Sequence, residues 1–252
     1  MSKIRVSAVS YTNTKPFVYG LQQSGILDKI DLSLDIPSDC AKKLIDNQVD
    51  IGLIPVAALL NVPGYEIISD YCIGADGAVN SVFIFSDKPI NEIKTIRLDL
   101  QSRTSNALAK VLLKNYWKLS PEYITSNSAD AFVEIGDRTF GKKDKYSFVY
   151  DLAEEWKNFT GLQFAFAVWA SNKPISPAFI TEFNAALRLG IENISCVISE
   201  LPERKDFNLD DYLRNKLDYS LTDSKMKALE LFLNYLKPAN KAIPEYGQRF
   251  EF

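Results

Sequence analysis

Apolar and polar positions change their spacing repeatedly along the first sixty residues. Residues 4–8 alternate between apolar and polar side chains, which predicts a short strand. Pro16 follows a polar turn and stands where a helix would begin, so a helix is predicted behind it. Two further strands are predicted at 32–36 and 49–54, each followed by a helical pattern. Because strands joined by crossover helices pair in parallel, we expect a parallel sheet.

Later apolar runs predict two lobes. Strands are expected at 81–85, 95–100, 131–135, 147–150 and 162–169, and helices at 108–116, 177–198 and 224–236. The apolar runs Val82–Phe85 and Phe164–Val168 bracket the middle segment, so we interpret them as crossovers between lobes. Lobe II is then 86–172, and lobe I combines 1–85 with 173–252. No flexible linker composition separates the two lobes, which predicts short hinges.

Composition narrows the class of protein. The 252 residues are 46% hydrophobic and 24% charged, which is typical of globular domains. The net charge is −3 and no basic stripe occurs, so nucleic acid is not an expected partner; residues 142–145 are interpreted as a solvated basic loop. The first ten residues lack the apolar core of a signal peptide, and no apolar run is long enough to span a membrane. A cytoplasmic location without membrane contact is therefore expected.

The counts of cysteine and histidine restrict the chemistry. Three cysteines, with no CxxC spacing, favour neither a disulfide framework nor a zinc site. The chain contains no histidine, which excludes Ser-His, Cys-His and His-metal mechanisms. An enzyme with this sequence would use carboxylates, Tyr, Lys, Cys, oriented polar groups or groups of the substrate itself.

Three polar loops lie at predicted strand ends, where open α/β sheets bind ligands. They are residues 10–14, 38–39 and 101–106. The side chains that open the predicted helix in the last loop are those of Ser102, Arg103, Thr104 and Ser105. A helix N-terminus favours a carboxylate through its free N–H groups and partial positive charge. Plain helix capping by Ser102 or Thr104 is the alternative interpretation.

Other polar residues at strand ends are candidates that also have an ordinary structural explanation. Asn13 either forms a turn or orients a hydroxyl or carboxylate of a ligand. Asn80 and Ser81 precede a predicted crossover and either face the cleft or form a strand edge. Asp151 offers an acid at a strand end or caps the next helix, and Gly136–Asp137 has the same ambiguity.

Short motifs in chain order resemble those of one known family. They are Ser10-Tyr11-x-Asn13-Thr14-x-Pro16, VDIGLIPVA at 49–57, GAVNSV at 77–82, Ser102-Arg103-Thr104-Ser105, DLAEEW at 151–156, TGL at 160–162 and FAVWA at 166–170. Together they resemble the chorismate dehydratases of the futalosine route to menaquinone. The resemblance covers about residues 6–170, and the C-terminal third carries no motif of that family.

The resemblance implies a fold, a reaction and a site. The implied fold is α/β and two-lobed, similar to type II periplasmic binding proteins, with a central cleft. The implied reaction converts chorismate to 3-[(1-carboxyvinyl)oxy]benzoate and water, without a metal or an organic cofactor. For this reaction we hypothesise that Asn13 and Ser81 are catalytic and orient the leaving hydroxyl or developing charge, while a substrate carboxylate helps to take the proton. The candidate substrate-binding residues are Ser10, Tyr11, Asn80, Ser102, Arg103, Thr104, Ser105, Gly136, Asp137 and Asp151.

Two alternatives compete with this hypothesis. A non-catalytic binding protein for a small anion is the first, since folds of this type often serve as receptors. The second is the related dihydroxynaphthoate synthase family, which relies on a histidine that this chain lacks. The sequence does not indicate an oligomeric state.

Overall fold

The computed structural model describes residues 3–237, which form two β-sheets with helices packed against them. The strands are β1 (Ile4–Val9), β2 (Ile30–Asp35), β3 (Ile51–Pro55), β4 (Glu66–Ala75), β5 (Val82–Ser86), β6 (Thr95–Arg97), β7 (Glu122–Ile124), β8 (Ala131–Ile135), β9 (Phe148–Asp151), β10 (Phe164–Ser171) and β11 (Asp218–Ser220). The helices are α1 (Lys15–Gln23), α2 (Pro37–Ile45), α3 (Arg103–Val111), α4 (Leu152–Thr160), α5 (Pro177–Glu192), α6 (Ile194–Ser199), α7 (Leu209–Asp211) and α8 (Asp223–Leu236).

The first sheet has six strands in the order β11-β4-β10-β3-β1-β2. Strand β1 pairs in parallel with β2 and β3, as the repeated strand–loop–helix pattern predicts. Strand β10 pairs antiparallel with both β3 and β4, so the sheet is mixed rather than wholly parallel. The reason lies in the chain path, because β4 leads out of this sheet and β10 leads back into it.

The second sheet has five strands in the order β7-β6-β8-β5-β9 and is also mixed. Strand β6 is parallel to β7 and β8, whereas β5 is antiparallel to β8 and β9. This pairing differs from the predicted lobe limits, which placed β5 in lobe I and β10 in lobe II. An apolar run shows that a strand is buried on both faces, but it does not show to which sheet the strand belongs. Residues 238–252 of the predicted lobe I lie outside the described residues.

Three predicted elements differ in extent. The strand predicted over 95–100 ends at Arg97, and the segment behind Pro55 is a 3₁₀ turn over Val56–Asn61. The helix predicted over 177–198 breaks at Asn193, whose side-chain amide donates to the Leu189 carbonyl at 2.7 Å. Asn competes with the helical backbone for hydrogen bonds in this way, which explains the break.

The packing of α1 against α5 fixes the start of α1. A Cβ at Gly190 would stand 1.7 Å from the carbonyl oxygen of Pro16, so the two helices meet backbone to backbone. Pro16 lies in the first turn of α1, directly behind the polar loop 10–14. The close contact therefore places that loop firmly at the end of β1.

Candidate functional site

A cleft lies where strand ends of both sheets meet, and it encloses about 540 Å³, including space open to solvent. Seven candidate residues line it, namely Tyr11, Asn13, Ser81, Ser102, Thr104, Ser105 and Gly136. The remaining wall is mostly apolar and consists of Val9, Thr14, Pro37, Pro55, Ile73, Val79, Val82, Ile135, Phe166 and Ala167. Such a mixture of an apolar wall and few polar groups is typical of small-molecule sites.

Tyr11 spans the cleft from the first sheet to the second. Its hydroxyl donates to the Oε1 atom of Gln101, which lies in the loop between β6 and α3. Its ring lies against Gly136, which follows β8. Burial raises the pKa of Tyr11, with smaller opposing contributions that include Arg138. The loop predicted to bind substrate thus also holds the two sides of the cleft together.

The N-terminal turn of α3 faces the cleft. Ser102 is its N-cap, and its Oγ accepts from the Ser105 backbone N–H at 3.0 Å. Thr104 Oγ1 accepts instead from the backbone N–H of Ala57 at 3.1 Å, which ties α3 to the turn behind β3. The alternative of capping is therefore confirmed for Ser102, although Ser102 also lines the cleft. Arg103 is exposed and is not one of the lining residues.

Ser81 and Asn13 meet at a residue that the sequence did not single out. The hydroxyl of Tyr212 donates to Ser81 Oγ at 2.9 Å, and Asn13 interacts with the same hydroxyl. Burial raises the pKa of Tyr212 well above its ordinary value, and the contacts with Ser81 and Asn13 offset only part of that rise. Tyr212 is therefore a neutral hydrogen-bonding group that lies behind Asn13 and Ser81, two polar residues of the cleft lining.

Asp151 does not line the cleft but caps a helix. Its carboxylate accepts from the backbone N–H groups of Asn80 at 2.7 Å and Ala153 at 3.0 Å, which fixes the start of α4. Burial raises the pKa of this carboxyl to about 6, and its backbone hydrogen bonds oppose that rise. Asn80 also lies outside the lining; its φ of 57° is left-handed, and its Oδ1 accepts from Lys143 Nζ at 3.4 Å.

The last two candidates lie outside the cleft lining. Ser10 is exposed, and its backbone N–H donates to the Asp35 carbonyl at 2.9 Å. Asp137 accepts from Thr12 Oγ1 at 2.8 Å and so joins the loop behind β1 to the turn behind β8. Thr12 and Gln101 belong to polar loops that the sequence had marked, but their contacts across the cleft depend on tertiary structure.

The profile of the menaquinone biosynthesis family matches residues 4–238. The chain belongs to this family. The resemblance found in the ordered motifs is therefore confirmed at the level of the family.

One curated relative of this chain is a chorismate dehydratase from Thermus thermophilus. It is 24% identical over 211 residues, which are 72% of this chain and 75% of the relative. The described part of the chain contains no helix that is long and apolar enough to cross a membrane.

Solved structures similar to this family member confirm the fold class. A protein of Archaeoglobus fulgidus superimposes with a TM-score of 0.69 at 17% identity, covering 92% of this chain and 96% of its own. A Candida albicans protein with the generic periplasmic binding protein fold gives 0.65 at 12% identity, covering 96% and 92%. The periplasmic aliphatic sulphonate-binding protein of Escherichia coli gives 0.56 at 14% identity, covering 93% and 92%. The fold is α/β, with two sheets, and similar to periplasmic binding proteins.

The lining of the cleft indicates what this member of the family can do chemically. Among the described residues that line it, Tyr11 alone has an ionisable side chain, and burial raises its pKa. The other polar groups are hydroxyls and one amide, which orient and stabilise a ligand by hydrogen bonds. These groups are able to hold and orient a polar ligand against the apolar wall.

Proposed function

We propose that the protein is a chorismate dehydratase, a lyase that converts chorismate to 3-[(1-carboxyvinyl)oxy]benzoate and water on the futalosine route to menaquinone. Membership of the menaquinone biosynthesis family and the curated relative support this proposal. The observation that carries it is the convergence of Asn13 and Ser81 on the hydroxyl of Tyr212 at the cleft. The enzyme acts in the cytoplasm and uses neither a metal nor an organic cofactor.

The N-terminal turn of α3 binds a carboxylate of the substrate in this proposal. Chorismate carries two carboxylates, and Ser102, Thr104 and Ser105 place their hydroxyls beside the cleft at a helix N-terminus. The partial positive charge of that terminus stabilises an anion. The apolar wall near Phe166 then packs against the ring.

The proposed elimination needs orientation more than a strong protein base. A carboxylate of the substrate takes the ring proton, and the electron pair of the broken C–H bond enters the ring. The carboxylic acid formed in this way passes that proton to the ring hydroxyl, which leaves as water when its C–O bond breaks, and the substrate carboxylate is restored. Formation of an aromatic ring supplies much of the driving force. Asn13 and Ser81 stabilise the departing hydroxyl through hydrogen bonds, a contribution that preorganised donors commonly make.

The second candidate function is binding of a small anion without catalysis. The similarity to periplasmic binding proteins, one of which binds aliphatic sulphonates, favours this alternative. Both functions use the same cleft, so binding alone does not distinguish them.

Incubation of the purified protein with chorismate distinguishes the two functions. Mass spectrometry is expected to detect a product lighter than chorismate by one water. Saturable chorismate binding without any such product would overturn the dehydratase proposal and favour the receptor. Asn13→Ala is expected to lower kcat by about 100-fold, the usual effect of removing one oriented donor. Asn91→Ala, at an exposed position in another turn, is the matched control and is expected to keep full activity.

A further inference from the structure

Tyr212 comes from the C-terminal third of the chain and is held in a fixed position beneath the cleft. It is 1% exposed. Its ring packs edge-on against Phe140 and Phe207, with centroids 5.3 and 5.2 Å away. Those two rings stack on each other at 3.7 Å. Phe140 follows β8 of the second sheet, and Phe207 lies in the C-terminal segment between α6 and α7. Residues from both segments therefore hold the Tyr212 ring in place.

The backbone at Tyr212 departs from ordinary helical geometry. Helix α7 widens into a π-helical turn over Tyr212–Lys216, in which the Leu217 N–H donates to the Tyr212 carbonyl at 3.0 Å. Single π-helical turns are rare and occur frequently at functional sites. This turn begins at the residue whose hydroxyl contacts Ser81 of the cleft lining.

The Tyr212 hydroxyl is held among cleft residues. Asn13 interacts with it, and the Asn13 Oδ1 atom also accepts from Thr14 Oγ1 at 3.1 Å. Tyr212 donates to Ser81 Oγ at 2.9 Å. A serine hydroxyl has one proton and two lone pairs, so Ser81 keeps its own proton for a further acceptor. Since Ser81 lines the cleft, a ligand bound there can accept this proton.

We propose that Tyr212 is a positioning residue for the dehydration, which fixes Ser81 so that the Ser81 proton points to the hydroxyl that leaves the ring. This inference rests on the proposed function, because it assigns Ser81 a role in that reaction. Tyr212 does not touch the substrate and acts through Ser81. It gives the C-terminal third of the chain a part in the site.

The test measures kcat and KM for chorismate in Tyr212→Phe, which keeps the ring and removes the hydroxyl. We expect kcat to fall about tenfold, the usual effect of one lost hydrogen bond, while KM changes less than about twofold. In a Ser81→Ala background the same change is expected to have no further effect on kcat, because the partner through which Tyr212 acts is gone. A merely structural role would lower kcat in both backgrounds.

Tyr219→Phe is the matched control. Tyr219 is buried as well, but its hydroxyl has no hydrogen-bond partner among the described residues, and it does not line the cleft. This variant is expected to keep the kcat and KM of the unmodified protein. If Tyr212→Phe does not fold, Phe140→Leu loosens the same ring and is expected to lower kcat only when Ser81 is present.

The outcomes separate the two proposals. Full kcat in Tyr212→Phe, or an equal loss in the Ser81→Ala background, would overturn the role of Tyr212 and leave the dehydratase intact. Absence of turnover in the unmodified protein would overturn the dehydratase and, with it, this inference.

Discussion

Tyr11 and Gly136 belong to opposite sides of the cleft, and the Tyr11 ring contacts the Gly136 backbone where the two sides meet. A Cβ at position 136 would stand 2.9 Å from two carbons of that ring. Gly136 also has a φ of +65°, a conformation in which other residues are strained. The two sides of the cleft therefore meet at a point where only glycine fits.

Gly136→Ala is expected to lower both stability and affinity for chorismate. Left-handed backbone costs a non-glycine residue about 1–2 kcal/mol, and the clash with Tyr11 adds to that cost. Gly161→Ala is the matched control, because Gly161 has a φ of +74° but nothing within 4 Å of the added carbon. Urea denaturation and titration with chorismate measure the two effects. Equal losses in both variants, with unchanged affinity, would contradict the importance of this contact.

Ser102→Ala is expected to remove a helix cap and a substrate contact together. Loss of an N-cap typically costs about 1 kcal/mol of stability. Ser176→Ala removes a similar cap, since Ser176 accepts from the Phe179 N–H at 3.3 Å at the start of α5, away from the cleft lining. Both variants should unfold at lower urea concentrations, but only Ser102→Ala should raise the dissociation constant for chorismate. A similar dissociation constant in both would show that α3 does not bind the substrate.

Thr12→Val is expected to weaken chorismate binding without changing kcat at saturation. The change removes the hydroxyl that donates to Asp137 across the cleft. One such hydrogen bond is worth about 0.5–1.5 kcal/mol, so the dissociation constant should rise by roughly two- to tenfold. Thr181→Val serves as the control, because Thr181 Oγ1 donates within its own helix α5, to the Pro177 carbonyl at 3.1 Å. Calorimetric titration measures both variants, and unchanged affinity in Thr12→Val would refute the prediction.

Asp151 is expected to make stability fall as the pH rises. Its pKa is raised to about 6 in the folded protein because of burial, whereas an unfolded Asp has a pKa of about 3.9. The folded state therefore binds more protons than the unfolded state between these two pH values. The stability that protonated Asp151 provides, relative to its charged form, is fully present below pH 4 and is lost above pH 6. The pKa difference corresponds to about 3 kcal/mol.

Comparison with Asp151→Asn isolates this contribution. Urea denaturation at several pH values measures the unfolding free energy of both proteins. The value for the unmodified protein minus the value for the variant should fall by about 3 kcal/mol from pH 4 to pH 7. Asp87→Asn, on an exposed turn, controls for the change in net charge. A difference that stays constant with pH would show that Asp151 is not perturbed.

Local patterns in the sequence were sufficient to find much of the polar lining of the cleft, because these residues follow strand ends. Tyr11, Asn13, Ser102 and Gly136 all stand in turns or caps that local composition marks, and all line the cleft. The capping role of Asp151 was an open alternative that the hydrogen bonds decided.

Features that depend on distant partners could not be predicted. Tyr212 lies in a segment without clear periodicity, and its role arises only because it meets Ser81, far away in sequence. The apolar run of β10 predicts a buried strand, but its pairing with β3 and β4 depends on tertiary contacts that the run itself does not specify. The apolar wall of the cleft, including Phe166, resembles ordinary core in the sequence.

The position of β10 between β3 and β4 also constrains when the first sheet can be completed. All five strands of the second sheet are contiguous in the chain, whereas the first sheet receives β10 only after the whole second sheet has been synthesised. Joining distant segments is slow because a large loop must close first. The second sheet is thus able to assemble during synthesis while β3 and β4 still expose the edges that β10 will cover. The cleft, which Phe166 and Ala167 of β10 help to line, is complete only once β10 has joined β3 and β4.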